Sequence, residues 1–387
     1  MYKTESFVKG NCTGAADRAI ISLPAAVLVD RKSLGSQPRR KSNPFLRQLC
    51  RLKNTLSRVT RGLASTKRGV LQSAACDKRE FSIAKHSIAI EQAKGAKAMK
   101  ELYVRPGDDL EAVLNGAENT VVHLAEGVYR QKLKLTAPGL RLIGAGAEKT
   151  VLIYDDYARK LDEQGRELNT FRTWTVAVCA DGVSMRDLSI VTDALDPKHR
   201  GQEVALSVYG DDFSIENCTL RSTQDTLFLG PLPPDLIERY DGFLPDELRQ
   251  NRRLRQRFEA CRIDGSVDFI FGCGEALFTD CELRSVFDGR TGGFVAAPAH
   301  TIEQREGFRF CRCRFTAEKA VTPGSIYLAR PWRDYGLSVF ENCSYGNHIA
   351  PAGFDPWLDT GRDRTARFLE TPTQPGRVAW INRQTAE

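Results

Sequence analysis

No stretch of this 387-residue chain approaches the ~18 consecutive apolar residues that a membrane span requires, so no transmembrane segment is expected. CxxC pairs are missing as well. Of the 11 cysteines only Cys311 and Cys313 lie close together, at a spacing that suits neither a zinc knuckle nor a redox motif. The count is odd and the cysteines are scattered behind aromatic and aliphatic residues. That predicts buried thiols and no disulfide framework. A secretory pattern is absent too. Met1-Tyr2-Lys3-Thr4 leads into no apolar h-region, and the modest apolar stretch at 19–30 is broken by Pro24 and Asp30. No signal peptide is read, and a cytoplasmic location is expected over secretion. Acid is the other thing lacking, but only locally: none occurs from Arg31 to Ala75.

What is there divides in two. The formal net charge of +7 conceals 21 Lys and Arg against 6 Asp and Glu in residues 1–100, and 35 against 43 in the remainder. The basic character therefore belongs to a leader, residues 1–98. Within it Phe45, Leu49, Leu52, Leu56, Val59 and Leu63 recur at helical spacing. A basic amphipathic helix suits a membrane surface, an acidic partner or a transit peptide; the alternative is a poorly ordered extension. Met99 is one of only 3 methionines and stands where the strand pattern of the body begins. Residues 1–98 are thus also readable as an upstream extension of the reading frame. The acidic body, 99–387, is not expected to bind nucleic acid.

The body opens on Leu110-Glu111-Ala112-Val113-Leu114, expected as a short capping helix, and continues as short apolar strands between Gly, Asp and Asn turns. One pattern recurs: an apolar residue, two others, Cys, one other, an apolar residue. It runs through Ile215–Leu220, Phe258–Ile263, Phe278–Leu283, Phe310–Phe315 and Phe340–Tyr345, and Met185–Ile190 fits with Leu188 in the Cys slot. Separations of 20 to 43 residues suit a solenoid whose loops vary in length. The fold class expected is all-β, a right-handed parallel β-helix of the pectin-lyase-like kind, with the cysteines as an internal ladder.

The repeat gives two acids a common position. Asp225 lies seven residues after Cys218, and Asp268 seven after Cys261. Residues 231–253 are rich in proline and charge and read as a loop excursion; without it the two acids fall on neighbouring rungs. Two carboxylates so placed cannot both ionise freely, and one stays protonated while the other can attack. Asp288 also lies seven after a repeat cysteine, Cys281, but its Gly-rich surroundings read as a turn. Arg330 can fork onto a carboxylate, Trp332 offers a flat face for a sugar ring, and Gln202 and Gln224 carry amide N–H groups suited to an oxyanion. Alone, each of these has a plainer reading as a surface turn or a solvated strand residue.

Together these stretches resemble the pectin methylesterases, carbohydrate esterases of family eight. The matching segments are Gln202–Leu206, Gln224–Phe228, Gly265–Gly272 and Leu328–Trp332, in the family's order and covering about residues 100–365. The excursion after Phe228 and the run Gly293–Pro298 resemble the bacterial branch. The resemblance implies hydrolysis of galacturonate methyl esters in pectin or methylated oligogalacturonides, without metal or organic cofactor. In that reading Asp268 is the nucleophile, Asp225 the general acid and then base, Gln202 and Gln224 the oxyanion hole, and Arg330 the partner of Asp268. Trp332, Thr170, Phe171 and Phe269 would contact substrate, and a monomer is expected. Departures from the family pattern are Ala329 for the usual Gly, expected to add a methyl beside the site, Glu203 for a small residue, and Phe228 for Tyr. Two rival readings remain open: a non-catalytic polysaccharide-binding β-helix, and a lyase, which would need a Ca²⁺ site of clustered carboxylates.

Overall fold

The computed structural model describes residues 99–193, 201–250 and 252–383. The expectations for residues 1–98 lie outside them. Among the described residues no helix is long and apolar enough to cross a membrane.

Three parallel sheets of ten, seven and eight strands run the length of the body. The chain visits them in rotation, so each circuit adds one strand to each sheet, and sequential strands of a sheet pair in register. This is a parallel β-helix. One circuit cannot enclose an apolar face of its own, which is why the rungs stack. The excursion interrupts this without breaking it: Thr219–Arg221 pairs directly with Arg262–Gly265, so the rungs before and after residues 231–253 are neighbours.

The register places Cys218, Cys261, Cys281, Cys313 and Cys343 in one column, each just before aligned strand residues. All are free. Their thiols point at carbonyls of the preceding rung, as from Cys281 Sγ to Phe258 O at 3.5 Å and from Cys313 Sγ to Phe278 O at 3.5 Å. Burial pushes the Cys218 thiol up to about 12, which suits an inert core group. Beside this column Phe258, Phe278, Phe310 and Phe340 stack with centroids 4.6 to 4.8 Å apart, the spacing of the strands themselves.

The residue before each column member turns the chain through the left-handed region. Asp187, Asn217, Ala260, Asp280, Arg312 and Asn342 have φ between 50° and 58°. Asn and Asp tolerate this conformation and Ala does not, at a cost of about 1–2 kcal/mol. Ala260 is exposed, so Ala260→Asn, matching Asn217 and Asn342, is expected to stabilise the body by about 1 kcal/mol. A urea midpoint that fails to rise refutes this.

The α-helix Leu110–Asn115 forms as expected, capped by Asp109, whose carboxylate accepts from Ala112 N at 3.1 Å. It covers the edge of the seven-stranded sheet. Glu111 accepts from Lys134 N at 3.2 Å, Asn115 accepts from Thr136 N at 2.8 Å, and Leu110 and Leu114 are fully buried. An open strand edge is thereby closed to pairing with other chains.

The excursion is more than a loop. It contains an α-helix, Pro234–Arg239, and a 3-10 turn, Asp246–Arg249. Its Leu232, Leu236, Leu244 and Leu248 form a second apolar cluster with Phe171, Tyr209, Phe228, Phe271 and Ala297 on the outside of the seven-stranded sheet. The body thus has an inner core within the coils and a smaller outer one, and the outer one borders the site.

Candidate active site

Asp268 lies in the strand Val267–Gly272, where the pairing with Gly293–Pro298 slips. Val267 aligns with Phe294 and Ile270 with Ala296, so two residues stand opposite one. The resulting bulge re-aims Asp268. Its φ of 48° is left-handed, as is the 66° of Asp225. Both acids are held in a conformation costly for most residues, a common mark of functional positions. The bracketing glycines have physical reasons. A Cβ on Gly265 would meet Phe269 Cβ at 2.1 Å, and Gly272, at φ +121°, would meet Leu229 O at 2.1 Å.

The acids do sit on neighbouring rungs. Gln224 bridges Val267 in parallel, and Asp225 N donates to Val267 O at 3.1 Å. Their environments differ. Arg330 forks onto Asp268, Nε to Oδ1 at 2.8 Å and Nη2 to Oδ2 at 2.6 Å. The guanidinium is itself clamped, 3.7 Å from the Phe294 ring centroid and 3.9 Å from that of Trp357. No cation pairs with Asp225 among the described residues. Burial, and then the charge of Asp268, raise its carboxyl well above the usual range. Burial raises Asp268 too, but the Arg330 bonds and charge oppose it. The proton of the pair therefore rests on Asp225, and Asp268 is the anion.

Around the acids is a cavity of about 240 Å³, lined by Thr170, Phe171, Gln202, Gln224, Asp225, Tyr240, Asp268, Phe271, Ala297, Arg330, Trp332 and Trp357. It brings together Asp225, Asp268, Gln202, Gln224, Arg330, Trp332, Thr170 and Phe171 from the sequence reading. Thr170 and Phe171 come from a 3-10 turn, Thr170–Arg172. That segment is anchored by buried Lys132, whose Nζ donates to Asp156 Oδ2 and to Arg172 O, both at 2.5 Å. A larger hollow of about 570 Å³ adjoins Arg333 and Arg362. Those arginines are already paired with Asp235 and Asp334, and no pair of neighbouring acids lines it.

Two expectations need correction. Phe269 does not contact the cavity: it is fully buried among inner-core residues. The bulge turns both Phe269 and Ile270 inward, and Phe271 emerges on the cavity side, edge-on to Trp332 at 6.0 Å. Nor does Ala329 add a methyl beside the site, since its side chain packs in the inner core. Glu203 is buried, and its carboxylate accepts from Thr223 Oγ1, tying the segment that carries Gln202 to the one that carries Gln224. Asp288 is more than a turn residue. It accepts from Ser266 Oγ at 2.5 Å and from Arg290 Nε at 2.8 Å.

Sequence reasoning missed Tyr240, Phe271, Trp357 and Arg290. A signal for Tyr240 existed: Leu232, Leu236, Tyr240, Leu244 and Leu248 recur every fourth residue within the excursion. Trp357, at φ 64° in an irregular segment, gave none.

The profile of the Pectinesterase family matches residues 107–230 and 246–381. Among curated relatives, Pectinesterase QRT1 of Arabidopsis thaliana is 28% identical over 288 residues, covering 70% of this chain and 68% of its own length. A probable pectinesterase/pectinesterase inhibitor 64 of the same plant is 29% identical over 302 residues, covering 73% of this chain and 45% of its own. Pectin methylesterase PemA from Erwinia chrysanthemi superposes with a TM-score of 0.58 at 26% identity, over 71% of this chain and 89% of its own. A pectin methylesterase solved in complex with a hexasaccharide gives 0.59 at 26% identity, with the same coverage. The carrot enzyme, 23% identical with a TM-score of 0.61 over 76% of this chain and 90% of its own, shares the fold.

Proposed function

The chain belongs to the pectinesterase family of carboxylic ester hydrolases, and we propose that it removes methyl groups from galacturonate esters of pectin or methylated oligogalacturonides through Asp268 and Asp225. One observation carries the division of labour: two acids on neighbouring rungs, of which only Asp268 has a forked cation.

The ionised Asp268 attacks the ester carbonyl carbon. The oxygen that becomes negative is met by amide N–H groups of Gln202 and Gln224. As the tetrahedral adduct collapses, Asp225 gives its proton to the departing methoxide. Methanol leaves, and the galacturonyl group is held on Asp268 as an anhydride. Asp225, now a carboxylate, takes a proton from a water whose oxygen attacks the same carbonyl. The second collapse frees the galacturonate carboxylate and restores both acids. Trp332 and Trp357 give the cavity flat faces against which sugar rings pack. Every group in this scheme comes from one chain, which supports a monomer as the active unit.

The full chain incubated with highly methylated pectin, without added calcium, is expected to release methanol and no unsaturated chain ends. Binding without methanol would leave a polysaccharide-binding module in place of the enzyme, and unsaturated ends would mean a lyase.

A further inference from the structure

The side chain of Gln224 is not free to choose its orientation. Its Oε1 accepts from Arg290 Nη1 at 2.8 Å. A guanidinium has only donors, so the Gln224 atom facing it must be the carbonyl oxygen. The amide N–H₂ is thereby turned the other way, toward Asp225, whose charged form it favours. Were Arg290 absent, the two ends of the amide would differ little in shape, and a half-turn about the last bond would put a lone pair where a donor is needed.

Arg290 is in turn held. Its Nε donates to Asp288 Oδ2 at 2.8 Å, its Nη2 meets the same carboxylate, and Ser266 Oγ donates to Asp288 at 2.5 Å. Ser266 is two residues before Asp268 and starts the bulged segment. The chain Ser266–Asp288–Arg290–Gln224 thus links the rung of one acid to the amide beside the other. Arg290 has close to half of its side chain exposed, and the Asp288 side chain is nearly covered. The exposed partner alone would be expected to wander; its fork onto a nearly covered carboxylate removes that freedom.

We propose that Arg290, fixed by Asp288, is a positioning residue that holds the Gln224 amide with its N–H₂ toward the reacting ester. This rests on Gln224 acting as an oxyanion donor in methyl ester hydrolysis. Arg290 does not touch the reacting atoms. It ensures that the donor is already turned when negative charge develops, which is where a preorganised donor gains over a mobile one.

The test is a double-mutant cycle on methanol release from methylated pectin by the full chain: wild type, Arg290→Ala, Gln224→Ala and the double variant, with kcat and KM separated. Arg290→Ala is expected to lower kcat by roughly 10- to 100-fold, a part of the ~10²–10³ lost with a whole oxyanion donor, with KM moving less than about twofold. In the Gln224→Ala background the same substitution is expected to change kcat by less than about twofold, because there is no amide left to orient. Asp288→Asn, a second variant at the same turn, is expected to show the same dependence on background, and thermal midpoints of all variants establish that they fold. Equal losses in both backgrounds overturn the proposal and make Arg290 act on the substrate or on the acids directly; a loss confined to KM overturns it as well. A wild-type chain that releases no methanol overturns the esterase reading together with this one, whereas an active wild type with additive losses overturns this one alone.

Discussion

Asp268→Asn is expected to lower methanol release by roughly 10⁴-fold or more while leaving the fold intact. Removal of a covalent nucleophile in a hydrolase has effects of that order, because the remaining donors cannot supply an attacking group. The choice of Asn is deliberate. It keeps the shape of the side chain and tolerates the left-handed φ of 48°. It also leaves Arg330 an amide oxygen to bond, where Ala would leave a buried guanidinium facing nothing. Stability is expected to hold or rise. The native arrangement places two buried acids side by side, and burial and mutual repulsion both lift Asp225. Neutralising one relieves that repulsion, as expected where a site is held strained for function. Methanol release and a urea midpoint measured together check both halves. Persistent methanol release from Asp268→Asn would remove Asp268 from the attacking role.

The same pair shows how far the sequence can be read. The column of cysteines was legible because a coil repeats its interior at each rung, and the eye needs only one slot to find the rest. From that slot the seven-residue offset of Asp225 and Asp268 follows by counting. What counting cannot see is a change of period. The slip opposite Gly293–Pro298 inserts one residue beside Asp268, and strand alternation then assigns Phe269 and Phe271 to the wrong sides. The excursion was legible as an interruption, from its prolines and charges. As a folded wall it was missed, although its apolar residues lie every fourth position, because Pro231, Pro233 and Pro234 argue against a helix. Pro234 opens one, where its missing N–H costs nothing. Trp357 and Arg290 are a different case. Each reaches the site from an irregular segment, and neither spacing nor neighbours announces a side chain whose partner is 27 or 66 positions away.

Arg330 carries the other large effect, and its consequence is a shift in pH dependence as well as a loss of rate. Burial raises the Asp268 carboxyl, and the two bonds and charge of Arg330 pull it back. In Arg330→Leu the pull is gone. A buried carboxylate without a partner takes up a proton before it stays charged. The pH at which half the enzyme has an ionised Asp268 therefore moves up, and so does the acid limb of the rate profile. Near neutral pH kcat is expected to fall by roughly 10²- to 10³-fold, and part of the loss is expected to return as pH is raised. Arg330→Lys is expected to be nearly as damaging. An ammonium restores the charge, but it cannot fork onto both oxygens. It also does not fit the flat slot between Phe294 and Trp357, built for a planar group with rings 3.7 and 3.9 Å from its central carbon. The lysine variant is expected to move the acid limb less than the leucine variant while regaining little of the rate. That separates the two things Arg330 does: its charge keeps Asp268 ionised, and its fork aims the carboxylate. An acid limb that stays put in Arg330→Leu would mean that Asp268 owes its charge to some other group, and the assignment of nucleophile and acid between the two rungs would have to be reversed.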